Sequence, residues 1–184
     1  MSDVLGKKSK DYYTKEASEA YERSSAMKKI QEGMTLDALQ IVHFKKGLIL
    51  DLGCGTGFST RIIQDKGFDA VGVDNNENMA LIAKNKGIEK IALAEITSLP
   101  FKNKTFTGII SISTLQWLGT EQHQILLEEM KRVLAPGGKI IIQYYPESRD
   151  EEQNLAREAK KTGFKTSTQE AGEGRKKKKY IILY

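Results

Sequence analysis

The stretch ILDLGCGTG, Ile49 to Gly57, decides the fold. An apolar run carrying one acid, Asp51, ends in glycines at Gly53, Gly55 and Gly57. That is the pattern of a buried strand delivering a tight turn, where bare backbone can approach a ligand. The spacing argues against two phosphate sites. A dinucleotide fingerprint needs G-x-G-x-x-G, and Phe58 stands where its last glycine would fall; a phosphate loop needs Gly-Lys-Ser/Thr, which does not follow. Asp51 adds a sign: it repels a nearby pyrophosphate and suits a ligand with a positive amino group.

S-adenosylmethionine meets that description, with an ammonium, a carboxylate, a sulfonium and an adenosine but no phosphate. Asp74, closing DAVGVD, is placed to accept from both ribose hydroxyls. A dinucleotide site also uses an acid there, so Asp74 supports a nucleoside without choosing the cofactor. In LAEITSLPF, the Glu95 carboxylate can accept from the exocyclic amine of adenine, and the Ile96 amide can donate to its ring. The expected cofactor-binding set is Asp51, Gly53, Cys54, Gly55, Gly57, Asp74, Asn75, Glu95, Ile96 and Ser113.

Outward from the glycine turn the chain alternates. GLILDL, DAVGVD, KIALAE, TGIISIS, GKIIIQYY and KKYIILY are nearly continuous apolar runs, as in strands covered on both faces. Ser59 to Lys66, Asn76 or Asn78 to Lys86, Glu121 to Leu134, and Glu151 to Thr162 read as helices. Gly67, Gly87 and Gly163 close three of them, and Pro136 to Gly138 breaks the fourth. This alternation predicts an α/β fold, a parallel sheet with helices on both faces and a ligand at the carboxyl ends of the strands. It also predicts one α/β domain over 46–184, preceded by a tail and helical lid over 1–45. Within that lid, residues 1–10 read as disordered, and Met27, Ile30, Met34, Ala38 and Ile41 recur at helical steps across a weak point at Gly33.

Composition bounds the rest. At 184 residues the chain is long enough for one domain with a real core, and no apolar run approaches the roughly 20 residues of a membrane helix. The basic N-terminus lacks the apolar stretch of a secretory signal, so a cytoplasmic protein is expected, or a nuclear one if the source has a nucleus. Cys54 is the only cysteine, which rules out an internal disulfide, and His43 and His123 are the only histidines; no metal site is expected. A net charge of +5 permits a polyanionic partner without requiring one.

DLGCGTG, VGVD, SLPF and LLEEMKRVLAPGGKIII together resemble the seven-strand, Rossmann-like S-adenosylmethionine-dependent methyltransferases across residues 47–142. The resemblance implies a last strand, KKYIILY, that enters the sheet antiparallel between two others. A narrower resemblance rests on ISISTLQWL, on IIIQYYPES and on the Tyr21 to Met34 pattern Y-x-x-S-S-x-M-x-x-IQ-x-x-M. These are similar to the eukaryotic enzymes that methylate guanine N7 in small-subunit ribosomal RNA. Those enzymes carry a long basic C-terminal extension that is absent here, as in a compact archaeal member, and Thr107 and Ala26 depart from the family's frequent aspartate and arginine.

Guanine N7 offers an unprotonated lone pair, so no catalytic base is expected. Gln116, Trp117, Tyr144 and Tyr145, past the fourth and fifth strands, are the candidates for holding the base, and Tyr13 and Tyr21 for a lid. The basic run Arg175 to Lys179, with Lys7, Lys8 and Lys10, is a candidate for RNA phosphates. The resemblance further implies a small zinc-binding methyltransferase activator protein, docked on the edge strand Lys86 to Glu95, where Ile88, Ile91 and Leu93 supply apolar character. Two other readings stay open: a small-molecule methyltransferase acting alone, and an RNA-binding ribosome assembly factor.

Overall fold

A computed structural model describes residues 9–146, 148–172 and 177–184. The expectations for Lys7 and Lys8, and for Arg175 and Lys176, lie outside the described residues. The elements run α1 (Ser9–Tyr12), α2 (Lys15–Arg23), α3 (Ser25–Ile41), β1 (Leu48–Leu52), α4 (Phe58–Asp65), β2 (Asp69–Asp74), α5 (Glu77–Asn85), β3 (Ile91–Leu93), β4 (Phe106–Ile112), α6 (His123–Val133), β5 (Leu134–Gln143), α7 (Arg149–Lys161), β6 (Thr166–Ala171) and β7 (Lys178–Leu183). One sheet has the order β3-β2-β1-β4-β5-β7-β6. Strands β1 to β5 are all parallel to one another, and β7 is antiparallel to both β5 and β6. The reversed last strand is therefore where the resemblance implied it.

Alternation along the strands divides the core. Ile49, Ile110, Ile141, Tyr180 and Ile182 face α3 and α4, joining Met34, Ala38 and Ile63. Leu50, Ile109, Ile140, Ile142, Ile181 and Leu183 face α6 and α7, joining Leu126, Leu127, Met130, Leu155 and Ala159. Each fully buried Leu, Ile or Val contributes about 1.5–3 kcal/mol relative to an exposed one. Tyr180 ties α3 to the last strand: its hydroxyl donates to the Met34 carbonyl at 3.3 Å and lies 3.1 Å from the Asp37 carboxylate.

The described structure corrects several expectations. Ser9 and Lys10 belong to α1 rather than to a disordered tail. The single helical zone expected after residue 11 is divided. Thr14 caps α2, and Ser24, whose hydroxyl accepts from the Met27 amide, starts α3. Pro136 to Gly138 do not separate helix from strand. The helix stops at Val133, Leu134 already pairs with Phe106, and a register shift between Phe106 and Gly108 takes up the Pro-Gly-Gly within one strand. Strand β6, TSTQEA, was not anticipated from periodicity. It is polar because it pairs on one side only and its outer face is exposed.

Candidate functional site

Strand β1 ends in the glycine loop, and the alternation that buries Ile49 turns Asp51 toward α4. Asp51 is 1% exposed. Its Oδ2 accepts from Ser59 at 2.6 Å and from Thr60 at 2.5 Å, both in the first turn of α4. Its Oδ1 is buried with no hydrogen-bond partner among the described residues. Burial, opposed by those two hydroxyls, pushes its pKa up to about 6. A buried carboxylate oxygen without a donor costs free energy that a bound cation recovers.

The loop keeps four of its own amides occupied. Gly53 and Cys54 both donate to the Val73 carbonyl, Gly57 donates to Cys54, and Gly55 donates to the Asp74 carboxylate at 2.8 Å. Anion cradles present free amides to phosphate. These four have none to offer, which agrees with a phosphate-free ligand. Gly53 takes φ 76°, and a Cβ there would collide with Thr114, whose hydroxyl donates to the Leu52 carbonyl at 3.1 Å. The turns after β1 and β4 are thereby locked together. Cys54 is a packing residue: its sulfur lies over Gly72, and burial holds its thiol well above the ordinary range.

Asp74, at the end of β2, accepts from the amides of Gly55 and Asn76, and burial raises its pKa. Asn75 donates to Glu95 at 2.9 Å. Ile96 buries its side chain in the core, which fixes the loop after β3. Ser113 adopts a left-handed φ of 55°, an uncommon conformation for a residue with a side chain. It is held there by its amide on the Gln143 carbonyl at 2.8 Å and its hydroxyl on the Gln143 side chain at 3.1 Å. The structure thus brings Asp51, the glycine turn, Asp74, Asn75, Glu95 and Ser113 to one edge of the sheet.

A strap formed by residues 9–13 crosses this edge. Ser9 donates to Asn75 at 3.2 Å, and Lys10 pairs with Glu95 at 2.6 Å. The side-chain amides of Asn76 and Asn78 both donate to the Tyr13 carbonyl. The rings of Tyr12 and Tyr13 each lie 5.4 Å from Trp117, Tyr13 lies 5.8 Å from Tyr21, and Tyr21 lies 5.9 Å from Phe58. Burial pushes the Tyr13 phenol up to about 12. Lys86 anchors the lid from below, pairing with Glu22 at 2.7 Å, donating to the Thr56 carbonyl at 3.1 Å and sitting over the Phe58 ring. The sequence pointed to Tyr13 and Tyr21 for a lid but not to Tyr12 or Lys86; Lys10 was expected at RNA and Asn76 or Asn78 at a helix start, and the contacts that tie all five to the strap or lid span sequence separations of 25 or more. Ser59 and Thr60 carried a legible signal: two hydroxyls directly after a glycine turn below a buried acid.

The four expected base-holding residues divide. Leu115–Trp117 is one 3-10 turn. Trp117 meets the strap, while Gln116 lines a cleft of about 590 Å³ with Leu118 to Glu121 and the first two turns of α7. Tyr144 and Tyr145 point to opposite faces of the sheet. Tyr144 is 5% exposed in the α6/α7 core, so its ring has no open face for stacking. Tyr145 lies against Met34 and accepts from Lys178 at 3.0 Å. The described part of the basic run is engaged within the fold: Lys177 with Glu170, Lys178 with Tyr145 and Lys179 with Glu152. Lys10, expected as an RNA contact, is held by Glu95.

Comparison with known proteins follows the same lines. The methyltransferase domain family matches residues 50–142, from the middle of β1 to the end of the apolar run of β5. The chain belongs to that family. Among curated proteins it is 33% identical over 181 residues to the 18S rRNA (guanine-N(7))-methyltransferase bud23 of Schizosaccharomyces pombe, covering 89% of this chain and 66% of that protein. It is 32% identical over 169 residues to the 18S rRNA (guanine-N(7))-methyltransferase of Bos taurus, covering 83% and 59%. The chain thus spans about three fifths to two thirds of the length of these relatives. Among solved structures, a chain from the complex of the Haloferax volcanii Trm112 methyltransferase activator with a methyltransferase superposes with a TM-score of 0.75 at 15% identity. It covers 95% of this chain and 96% of that one, a likeness of fold. The family's methyl donor, S-adenosylmethionine, fits the residues present: the orphaned Asp51 oxygen suits its ammonium, and four amides of the loop are already engaged within the fold rather than held out to a phosphate.

Proposed function

We propose that this protein is an S-adenosylmethionine-dependent methyltransferase acting on guanine N7 in small-subunit ribosomal RNA, with an activator subunit on its β3 edge. The observation that carries the reading is the similarity to the 18S rRNA (guanine-N(7))-methyltransferases, which extends over 89% of the chain, well beyond the shared family domain. When bound, S-adenosylmethionine supplies an electrophilic methyl group on a sulfonium. Asp51 and the glycine turn would hold its amino-acid portion, Asp74 its ribose, and Glu95 with Ile96 its adenine. The strap, through Tyr12, Tyr13 and Trp117, excludes water from that edge. Guanine N7 carries no proton, so the protein's contribution is alignment and a shaped, dry cavity rather than proton transfer.

The partner reading is supported by the sheet edge. Strand β3 has one neighbour, Leu93 and Leu81 are each 56% exposed, and an open apolar edge favours a covering chain. Ile88 is not part of that surface, being fully buried beneath Gly57. The test is methyl transfer from labelled S-adenosylmethionine to small-subunit ribosomal RNA, with and without the zinc-binding activator of the same source. The label is mapped by chemical cleavage at 7-methylguanosine. One cleaved position, stronger with the activator, is the expected result; label confined to a small metabolite would reject the assignment.

A further inference from the structure

The cleft beside Gln116 is walled by acceptors. Its lining includes the carboxylates of Glu121, Asp150 and Glu151, with Asn154 and Arg157 at its rim on α7. Gln116 Oε1 is buried without a hydrogen-bond partner among the described residues. Glu121 is set over Gly119, where a Cβ would collide with its carboxylate. Two more polar groups lie behind the wall without partners among the described residues: the His123 ring, 0% exposed, and the Tyr144 hydroxyl. The His123 ring feels the charges of Glu151 and Glu121, and the Tyr144 hydroxyl those of Glu151 and Glu152.

Resting on the proposed guanine-N7 activity, we infer that this cleft takes the Watson–Crick edge of the target guanine, with Gln116, Glu121 and Asp150 accepting from N1–H and the 2-amino group. The chemistry of the base makes the match. The cleft adjoins the cofactor edge, because Gln116 lies two residues past Thr114, whose hydroxyl holds the Leu52 carbonyl beside the glycine turn. N7 lies at one end of the purine and the 2-amino group at the other, so a guanine presenting N7 toward that edge turns its donor edge toward the cleft. Adenine presents no donor at N1 or C2 and is refused by the same wall. The wall also acts on the reaction. The N7 lone pair forms the new bond to carbon, the carbon–sulfur electrons return to sulfur, and the positive charge passes to the purine. Carboxylates fixed around the base stabilise that charge as it arrives. Arg157 is placed at the rim for a flanking phosphate.

Trp117, the only tryptophan in the chain, follows Gln116 in the same 3-10 turn, so its fluorescence is expected to shift when the cleft fills. The experiment titrates the protein with the 5′-monophosphates of guanosine, inosine and 7-methylguanosine, following Trp117 fluorescence. Inosine lacks only the 2-amino group, and 7-methylguanosine carries the positive charge. Guanosine should bind about fivefold or more tightly than inosine, the discrimination expected of a good base-edge contact, and 7-methylguanosine more tightly still. Both differences should shrink severalfold in the double variant Glu121→Ala/Asp150→Ala, which removes two of the three acceptors at exposed positions. Equal titration by guanosine and inosine, or unchanged discrimination in the variant, overturns the inference. A wild-type protein that discriminates the nucleotides yet leaves no 7-methylguanosine in ribosomal RNA sustains the cleft and refutes the proposed RNA substrate.

Discussion

Asp51 sets up an opposition between stability and ligand binding that pH can read. Its carboxyl group is raised on folding from the ordinary 3.8 to about 6, chiefly by burial. The sign follows: with a folded-state pKa above the unfolded one, the stabilising contribution is complete below about pH 4 and is lost as pH rises through about 6. At pH 7 the ionised group costs the ligand-free fold about 3 kcal/mol, from roughly two pKa units at 1.36 kcal/mol each. Asp51→Asn, which still accepts from Ser59 and Thr60, should therefore melt several degrees higher than the wild type at pH 7, with the gap closing by pH 4. Binding runs the other way. The ammonium of S-adenosylhomocysteine, the demethylated product, needs the ionised carboxylate, so its affinity should fall about tenfold from pH 7 to pH 5. In the Asn variant it should be weaker by about 1.5–3 kcal/mol at pH 7, the range for a charge-assisted hydrogen bond, and flat with pH over that range. Calorimetric titration and thermal melts at four pH values decide it. A wild-type affinity unchanged from pH 5 to 7, or an Asn variant that melts lower at pH 7, refutes the account.

Three further outcomes are expected. Lys10→Ala removes a half-exposed ion pair and should leave the melting temperature nearly unchanged. It should nonetheless speed cofactor dissociation severalfold in stopped-flow chase, and an unchanged rate would mean that the strap does not cover the ligand. Gly53→Ala forces a side chain into φ 76° against Thr114, so loss of cofactor binding with a lower melting temperature is expected; wild-type titration by the variant would show that the turn can move. Arg132→Ala strips the guanidinium that donates to the carbonyls of Leu99 and Phe101 and pairs with Glu129. Denaturant unfolding should register a loss of about 2 kcal/mol.

What could be seen in the sequence was whatever is local. A glycine turn after a buried run, an acid closing the next run, and glycines closing helices are short-range patterns, and the first five strands and the positions of Asp51 and Asp74 follow from them. The strap was only half visible, because Tyr12 and Lys10 acquire their roles from Trp117 and Glu95, more than eighty residues away. Strand β6 was invisible for the opposite reason: a one-sided, solvent-facing strand carries no apolar signature. Tyr144 and Tyr145 were misjudged as a pair, since adjacent residues in extended chain point to opposite faces and cannot both line one pocket.

The inserted last strand has a consequence for the newborn chain. Ile140 to Ile142 of β5 pair with Ile181 to Leu183, which the ribosome delivers some forty residues later. Until then the growing polypeptide displays an isoleucine-rich border with unmated backbone, open to any passing extended peptide. A nascent protein stalled ahead of Lys178 would therefore be expected to need chaperone shielding, and β7 acts as the clasp that ends this dependence.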